Sequence, residues 1–329
     1  MLHLPRRAEP ERLLCLLGEA EGFVSGEHLS RQLGISRTAV WKQVESLRRA
    51  GYRVEAISSR GYRLAGRPDL LDAKTLSSLL AGSVSGSRLC IFEETASTNT
   101  EAFRLAEAGA PEGTVVIADR QTAGKGRLGR QWVSPGGVNL YLSLVLRPDL
   151  PPYEAPQLTF LSAVAVARAI EDLAGIKAEI KWPNDLLIGG RKVAGLLNEM
   201  SAETDRVSFV ILGIGVNINM AAGQFPDGLR TPATSLMIES GRQISRSLFA
   251  ARLLELLDSG YATFAESGFG TVREEWGRRC NAFGRNVMVE SGIAVLTGAF
   301  SGIDHDGAML VRFEDGRVER VMSGDVTII

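Results

Sequence analysis

The stretch Gly124-Lys125-Gly126-Arg127-Leu128-Gly129-Arg130-Gln131-Trp132 alternates glycines with cations and ends on an indole. Glycines let a backbone lie close to a ligand and present its N–H groups. Lysine and arginine supply positive charge for phosphate, and an aromatic face can stack on a base. The stretch predicts a loop that closes over a nucleotide-like anion, with a basic surface loop as the alternative. It is not a Walker A loop, because Gly126 follows Lys125 where Ser or Thr would be needed.

Further short motifs flank this loop on both sides. They are Ser97-Thr98-Asn99 and Gln121 before it, and residues 181–185 (KWPND), 191–195 (RKVAG) and 213–217 (GIGVN) after it. In this order, the motifs and the loop resemble the biotin protein ligases, whose adenylate-binding loop is usually written GRGRxGR. This chain departs from that pattern at Lys125, where Arg is common, and at Leu128, where another Arg often stands. Lysine keeps the charge but loses the bidentate fork of arginine, and Leu128 leaves the loop less cationic. These two departures bear on how tightly the loop retains an adenylate.

The composition is typical of a globular chain of two or three domains. It has 329 residues, of which 45% are hydrophobic and 23% charged. No apolar run approaches the roughly 18 residues of a membrane span, so we expect no membrane association. Three scattered Cys predict reduced cytosolic thiols, and the Cys and His lack zinc spacing. Residues 1–67 hold twelve basic and seven acidic side chains on an otherwise acidic chain, which fits contact with a polyanion.

The N-terminal segment predicts three short helices. The first carries an apolar face at 13–17. Ser25 is predicted to cap the second, Gly34 to end it, and Ser36 to cap the third. The third helix has a buried stripe at i, i+4 and i+7, formed by Val40, Val44 and Leu47.

Two short strands follow at 52–57 and 62–64, around a turn at 58–61. Helix, turn, second helix and wing are the parts of a winged helix-turn-helix, here about Ser25 to Val44. The candidate DNA-facing residues are Ser36, Arg37, Thr38, Trp41, Lys42 and Arg60, with Arg63 as a further phosphate contact. The alternatives are a helical bundle that binds only protein, and a Trp41 that packs internally.

From about residue 75, strands and helices alternate. Strands are predicted at 114–119, 139–146, 179–182 and 207–217, a hairpin at 186–188 and 193–200, and a buried helix at 158–173. This pattern indicates a mixed sheet flanked by helices. Helices near 247–265 and 271–279 lead to short strands at 287–290, 295–303, 309–313 and 318–322, with turns at 291–292, 306–307 and 315–316. The last strands predict a small β-barrel, and no motif in the sequence of this segment indicates a particular chemistry.

The resemblance implies a multidomain α/β chain of the bifunctional bacterial type, both biotin ligase and biotin-operon repressor. The expected domains are a winged helix-turn-helix at 1–66, a catalytic α+β domain at 67–278 and an SH3-like β-barrel at 279–329. The resemblance implies that this barrel assists the binding of ATP and of the acceptor protein. The catalytic sheet is expected to be related to that of class II aminoacyl-tRNA synthetases. Residues 65–75 are expected to hold the linker.

The chemistry of acid activation explains the cations. A carboxylic acid is inert toward an amine at neutral pH, and joining it to AMP creates a good leaving group. This step brings an anionic acid to the anionic α-phosphate of ATP, so the site needs positive charge in a preorganised pocket. Arg127 and Lys192 are the catalytic candidates, and the resemblance places Lys192 at the acid and the reacting phosphate as an electrostatic stabiliser. Its alternative is a solvated lysine in a Gly-Gly-Arg-Lys turn.

The binding residues follow from the ligands and from the resemblance. The candidates for biotin are Ser97, Thr98, Asn99, Gln121, Lys125, Gly126, Arg127 and Lys192. Those for the nucleotide are Arg127, Arg130, Trp132 and Asn217, and Asp185 could hold Mg²⁺. Ser97 to Asn99 could also cap a helix at 100–107, and Asp185 could lie in an ordinary turn.

The expected function is an ATP-dependent, cytoplasmic biotin–protein ligase. It would form biotinyl-5'-AMP and transfer biotin to a lysine of the biotin carboxyl carrier protein of acetyl-CoA carboxylase. The adenylate would act as corepressor, so that a homodimer reaches two half-sites of operator DNA. The rivals are a lipoate–protein ligase, which uses a related fold, and a transcription factor that senses biotin without catalysis.

Overall fold

The computed structural model describes residues 9–20, 22–49, 51–66, 69–80, 88–291 and 294–329. They form two compact units, one within Met1–Asp69 and one within Leu70–Ile329. Residues 67 and 68 of the expected linker and residue 292 of the expected turn at 291–292 lie outside the described residues. Within the described ranges, no helix is both long and apolar enough to cross a membrane.

The N-terminal unit has the predicted helix-turn-helix and wing. Its elements are α1 (Glu9–Glu19), α2 (Gly26–Leu33), α3 (Arg37–Arg49), β1 (Arg53–Ile57) and β2 (Gly61–Gly66). Ser25 Oγ accepts the His28 N–H at 3.1 Å, and Gly34 ends α2 at a φ of +68° that favours glycine. The predicted stripe of α3 is buried and packs with α1 and α2. The strands β1 and β2 pair antiparallel.

The larger unit is built on a seven-stranded mixed sheet. Its strands are β3 (Arg88–Thr95), β4 (Thr114–Gln121), β5 (Leu140–Leu146), β6 (Glu179–Lys181), β7 (Asp185–Ile188), β8 (Arg191–Ala202) and β9 (Val207–Val216). The order is β3-β4-β5-β9-β8-β7-β6, in which only β3 and β4 run parallel. The mixed sheet confirms the prediction, and β3 is a strand that the sequence patterns did not indicate.

Helices cover the sheet on both faces. They are α4 (Ala73–Leu79), α5 (Thr98–Glu107), α6 (Gln157–Ala174), α7 (Leu236–Ser240), α8 (Arg246–Ser267) and α9 (Gly270–Arg279). Alternate side chains of β5 divide between the faces: Leu144 packs in the cluster of α6 and α8, and Val145 in the cluster of α5. The short α5 packs on β4, β5 and β9. Its amino-terminal residues therefore lie beside the strands β8 and β9.

The C-terminal strands form a five-stranded antiparallel sheet. They are β10 (Asn286–Ser291), β11 (Ala294–Ile303), β12 (Met309–Arg312), β13 (Val318–Val321) and β14 (Asp325–Ile328), in the order β13-β12-β11-β10-β14. This sheet shares a core with the helices, since Phe300 lies 6.4 Å from Trp276 and Trp276 lies 5.2 Å from Phe160, between ring centroids. The sequence patterns missed β14, which carries Asp325 and pairs with β10.

Candidate functional site: a basic cavity on the mixed sheet

The glycine-rich loop folds as a tight hairpin. Gly126 N–H donates to the Arg130 carbonyl at 2.7 Å, and Trp132 N–H donates to the Gly124 carbonyl at 2.9 Å. A Cβ on Gly124 would lie 2.5 Å from the Trp132 carbonyl oxygen, so a side chain cannot fit there without a shift of the backbone. Leu128, at the tip, is exposed and has a φ of +57°. Backbone hydrogen bonds across the hairpin therefore fix the part of the loop that carries Lys125, Arg127 and Arg130.

This loop covers one side of a cavity of about 390 Å³, a size typical of small-molecule sites. The cavity is lined by every residue predicted for biotin, the nucleotide and the metal: Ser97, Thr98, Asn99, Gln121, Lys125, Gly126, Arg127, Arg130, Trp132, Asp185, Lys192 and Asn217. These twelve residues come from six separate segments of the chain. The fold brings them together, while the role of each stays a prediction.

One end of the cavity is a polar network around the start of α5. Gln121 Oε1 accepts the Thr98 N–H at 2.8 Å, and Gln121 Nε2 donates to Ser134 Oγ at 2.9 Å. Ser143 Oγ lies 2.6 Å from Asn99 Oδ1. The predicted helix begins earlier than expected, at Thr98, and the hydroxyl of Ser97 makes no capping hydrogen bond. Ser97 is nevertheless buried, and it lines the cavity.

Glu199 is a partner that the sequence analysis did not identify. Its Oε2 accepts the Asn99 Nδ2–H at 2.8 Å, and its Oε1 lies 3.6 Å from Lys125 Nζ. One carboxylate of β8 thus orients an amide of α5 and holds a cation of the loop. No sequence signal marks Glu199, because its importance arises from partners about 75 and 100 residues away.

The indole of Trp132 packs directly against a pair of glycines in the central sheet. Gly195 of β8 and Gly215 of β9 are cross-strand partners. A Cβ would lie 2.7 Å from the indole at Gly215 and 3.0 Å from it at Gly195. Lys192 Nζ lies 5.3 Å from the centre of the same ring, within reach of a cation–π interaction. The glycines of the two later motifs therefore allow the aromatic ring to lie flat against the sheet.

Two cations occupy the middle of the cavity. Lys192 Nζ lies 2.6 Å from Asp185 Oδ1, and Arg127 Nη1 donates to Asn184 Oδ1 at 3.2 Å. Burial lowers the pKa of Arg127 from its ordinary value, while the charges of Asp325 and Asp185 raise it. Both cations are held by neighbours in the segment 181–185, so they are fixed before any reaction begins.

The amide of Asn217 has protein partners at the end of β9. Its Nδ2 donates to the Thr234 carbonyl at 3.1 Å, and its Oδ1 accepts from Asn139 Nδ2 at 3.3 Å. The side chain is buried but still lines the cavity. The bond to Thr234 joins the end of β9 to the residue that follows the cavity-lining segment 229–233, and contact with a nucleotide remains a prediction.

Asp325 and Arg230 also line the cavity, and the sequence analysis missed both. Arg130 Nη1 donates to Asp325 Oδ1 at 3.1 Å, and Arg230 forms ion pairs with both Asp325 and Glu290. The sequence of the C-terminal strands displays no chemistry by itself, yet their Asp325 lies in the lining of the cavity. The run of β-branched residues at 326–329 could have indicated β14, but nothing local marks Arg230.

In the N-terminal unit, the predicted DNA-facing residues are all exposed: Ser36, Arg37, Thr38, Trp41, Lys42 and Arg60. Trp41 is 52% exposed, so the alternative of internal packing is wrong. Ser36 Oγ accepts the Ala39 N–H at 3.2 Å, which confirms its capping position. Arg63 is paired with Glu55 at 2.7 Å.

Three family models match this chain. The Biotin/lipoate A/B protein ligase family matches residues 91–217, an HTH domain matches 11–63, and the Biotin protein ligase C terminal domain matches 282–328. The first match covers most of the strands and motifs that form the cavity.

Individual relatives extend the similarity to the whole chain. The bifunctional ligase/repressor BirA of Bacillus subtilis is 42% identical over 93% of this chain and 94% of its own. BirA of Escherichia coli is 32% identical over 97% of each chain. A structure of biotin protein ligase from Aquifex aeolicus in complex with biotin and ATP is 30% identical, with a TM-score of 0.64 over 74% of this chain and 99% of that one. The chain therefore belongs to the family of bifunctional biotin ligase/repressor proteins.

Proposed function

We propose that this chain activates biotin with ATP and transfers it to a lysine of a biotin carboxyl carrier protein, that of acetyl-CoA carboxylase. The observation that carries the proposal is the cavity in which the basic loop, the polar network at α5 and Lys192 meet. The polar network suits the ureido group of biotin, and the glycine-seated indole of Trp132 suits adenine.

The first step joins biotin to AMP. An oxygen of the biotin carboxylate attacks the α-phosphorus of ATP, the bond from that phosphorus to the bridging oxygen breaks, and pyrophosphate leaves. Arg127 and Lys192 are already positioned by Asn184 and Asp185, so they stabilise the charge on the phosphate without reorganisation.

In the second step, the neutral amine of the acceptor lysine attacks the acyl carbon of biotinyl-5'-AMP. An amide bond forms, AMP leaves, and the amine's proton passes to solvent. The hairpin loop over the cavity shields the mixed anhydride from water until the acceptor arrives. In this scheme Arg127 retains the adenylate by its phosphate.

Mg²⁺ enters this scheme with ATP. Within the described lining of the cavity, Asp185 and Asp325 are the only carboxylates. Carboxylate oxygen is a ligand that Mg²⁺ prefers, and one or two carboxylates with substrate phosphates are its common environment. Asp185 pairs with Lys192 through Oδ1, and its carboxylate would hold a magnesium ion that neutralises charge on the phosphates of ATP.

The adenylate-bound chain acts, in this proposal, as a repressor of biotin genes. Two chains pair through their catalytic domains, and two winged modules reach two half-sites of an operator. The exposure of Arg37, Thr38, Trp41, Lys42 and Arg60 supports a DNA-facing surface on α3 and the wing. A chain that uses ATP and DNA and has three free cysteines belongs in the cytoplasm.

The finer description of the fold is also a proposal. We assign the helix-turn-helix to 1–66, the catalytic domain to 67–278 and an SH3-like barrel to 279–329. Five short antiparallel strands support the barrel, and a mixed sheet with helices on both faces supports kinship of the catalytic domain with class II aminoacyl-tRNA synthetases.

The decisive experiment incubates the pure chain with biotin, ATP and Mg²⁺ and identifies the bound ligand by mass spectrometry, with lipoate in a parallel reaction. Retained biotinyl-5'-AMP supports the ligase. Lipoyl-AMP in preference to biotinyl-AMP would mean a lipoate ligase. Biotin bound without an adenylate, and without release of pyrophosphate, would mean a sensor that lacks catalysis.

A further inference from the structure

The cavity holds more positive charge than the adenylation step at one phosphate requires. Its described lining carries six cations, which are Lys125, Arg127, Arg130, Lys181, Lys192 and Arg230. Arg127 and Lys192 are held together by the segment 181–185, near the place proposed for the reacting phosphate. Arg130 and Arg230 lie instead around one carboxylate of the C-terminal sheet, Asp325.

The two arginines reach Asp325 from different parts of the chain. Arg130 comes from the glycine-rich loop and binds both carboxylate oxygens with its two terminal nitrogens. Arg230 comes from the segment between β9 and α7 and also pairs with Glu290 of β10. Two guanidinium groups that converge on one point form a site for an anion with several oxygens, because each offers a planar fork of donors.

Lys181 lies close enough to add to this group electrostatically. Its pKa is lowered from the ordinary value mainly by burial, with Lys192 and Arg230 also lowering it and Asp185 and Asp325 raising it. A buried cation that is repelled by neighbouring cations gains most from an additional anion. Asp325 is the carboxylate that all three cations share, while Glu290 pairs in addition with Arg230 and Asp185 acts in addition on Lys181.

Protonation does not release this carboxylate. The hydrogen bond from Arg130 is the largest cause that lowers the pKa of Asp325, to about 2. At any pH near neutrality Asp325 therefore remains an anion.

We propose that Arg130, Arg230 and Lys181 form the binding subsite for pyrophosphate, and that Asp325 is a built-in carboxylate which the β- and γ-phosphates of ATP displace. This inference rests on the proposed adenylation reaction and names the residues that take its leaving group. ATP then draws the loop arginine from the C-terminal sheet onto the phosphates. When pyrophosphate leaves, Asp325 recaptures both arginines, so it assists product release.

The test titrates the full-length chain with inorganic pyrophosphate and, separately, with AMP, both in the presence of Mg²⁺, by calorimetry. The test variants are Arg230→Met and Asp325→Asn. The matched controls are Arg206→Met and Asp315→Asn, because both residues form exposed ion pairs and neither lines the cavity. Glu290→Gln is a second variant, which removes the other carboxylate partner of Arg230 and keeps its cross-strand neighbour Asp325 unchanged.

The two test variants are expected to change pyrophosphate affinity in opposite directions. Arg230→Met should weaken pyrophosphate binding about tenfold, since a hydrogen-bonded charge pair is lost, and leave AMP within about twofold. Asp325→Asn should strengthen pyrophosphate binding about threefold or more, and Glu290→Gln should strengthen it by a smaller factor. A merely structural role of Asp325 would instead weaken both ligands in Asp325→Asn.

Unchanged pyrophosphate affinity in Arg230→Met would overturn the subsite. Equal or weaker pyrophosphate binding in both Asp325→Asn and Glu290→Gln would overturn the competing carboxylate. The readout does not depend on catalysis. If the wild-type chain forms no biotinyl-AMP but the titrations behave as expected, the adenylation reaction fails and the anion subsite stands. If the adenylate forms and the titrations do not change, only the subsite fails.

Discussion

Lys192 Nζ lies 2.6 Å from Asp185 Oδ1, across the hairpin of β7 and β8. Asp185 opens β7 and Lys192 follows the turn at Gly189 and Gly190, so the hairpin places two residues seven positions apart side by side. The side chain of Lys192 is only 24% exposed and lines the cavity. The alternative of a solvated turn lysine is therefore wrong.

Replacing Lys192 with Met should slow the formation of biotinyl-AMP by about a hundredfold to a thousandfold. A positioned charge at the reacting phosphate is lost, and removing one such donor commonly costs that much. The measurement is pyrophosphate release on addition of biotin and ATP. Lys74→Met, at an exposed position of α4, serves as control. A rate within threefold of the wild type would show that Lys192 has no electrostatic role in the reaction.

Arg127→Ala should speed the escape of biotinyl-AMP about tenfold, because the cavity loses a buried cation beside the phosphate. Arg127 is held by Asn184 rather than by a carboxylate, so its charge is available to the ligand. The dissociation rate of preformed biotinyl-AMP measures the effect, and Arg206→Ala, an exposed arginine outside the cavity, is the control. A dissociation rate equal to that of the wild type would show that Arg127 does not hold the phosphate of the adenylate.

Gly215→Ala should weaken ATP binding about tenfold and affect biotin much less. The added Cβ would lie 2.7 Å from the indole of Trp132, so the ring must leave its seat. Gly223→Ala is the control, since a Cβ there meets no atom within 4 Å. Calorimetric titration with each ligand separates the two effects. An unchanged affinity for ATP in Gly215→Ala would mean that the position of the indole does not matter for the nucleotide.

The ion pairs of Asp325 with Arg130 and Arg230 should stabilise the folded chain at neutral pH, and this contribution should be lost only in strong acid. The pKa of Asp325 is lowered to about 2 in the folded chain, chiefly by Arg130, against about 3.9 for an ordinary aspartate. A carboxyl group whose pKa is lowered on folding stabilises the fold above its unfolded pKa, and this contribution disappears as the pH falls through the folded value. The difference in urea unfolding between wild type and Asp325→Asn should therefore be constant above about pH 5 and shrink toward pH 2. A difference that shrinks between pH 5 and 7 would contradict this assignment.

Deleting residues 1–65 should abolish operator binding and leave ligation intact. The described residues form separate compact units on either side of Asp69 and Leu70, and the cavity draws all its lining from the second. Gel-shift and carrier biotinylation assays on the same preparation measure both properties. Loss of ligation in a truncation that still unfolds cooperatively would mean that the N-terminal unit supports the active site.

A point variant complements the truncation. Arg37→Ala keeps the whole chain and removes one exposed cation of α3. DNA affinity should fall, and the slope of its dependence on salt should decrease by about one counterion. An unchanged salt dependence would show that Arg37 does not contact a phosphate of the DNA. Ligation should be unaffected by the variant in either case.

Local sequence signals determined much of this protein. Caps at Ser25 and Gly34 and the stripe of α3 marked the helix-turn-helix, because helix ends and buried faces depend on residues within a few positions. The same holds for the hairpin of β7 and β8 and for the buried helix α6. The motif residues that line the cavity were likewise identified from their types and order, with the help of the family resemblance.

Only the tertiary structure decided which partners those residues have. Glu199 orients Asn99 and holds Lys125, Gly215 makes room for Trp132, and Asp325 holds the arginine of the loop. Each of these pairs joins residues that are far apart in sequence, and neither member carries a local sign of the other. Short-range periodicity can place a side chain on a face, but long-range packing alone determines which charges meet and how far each is removed from water.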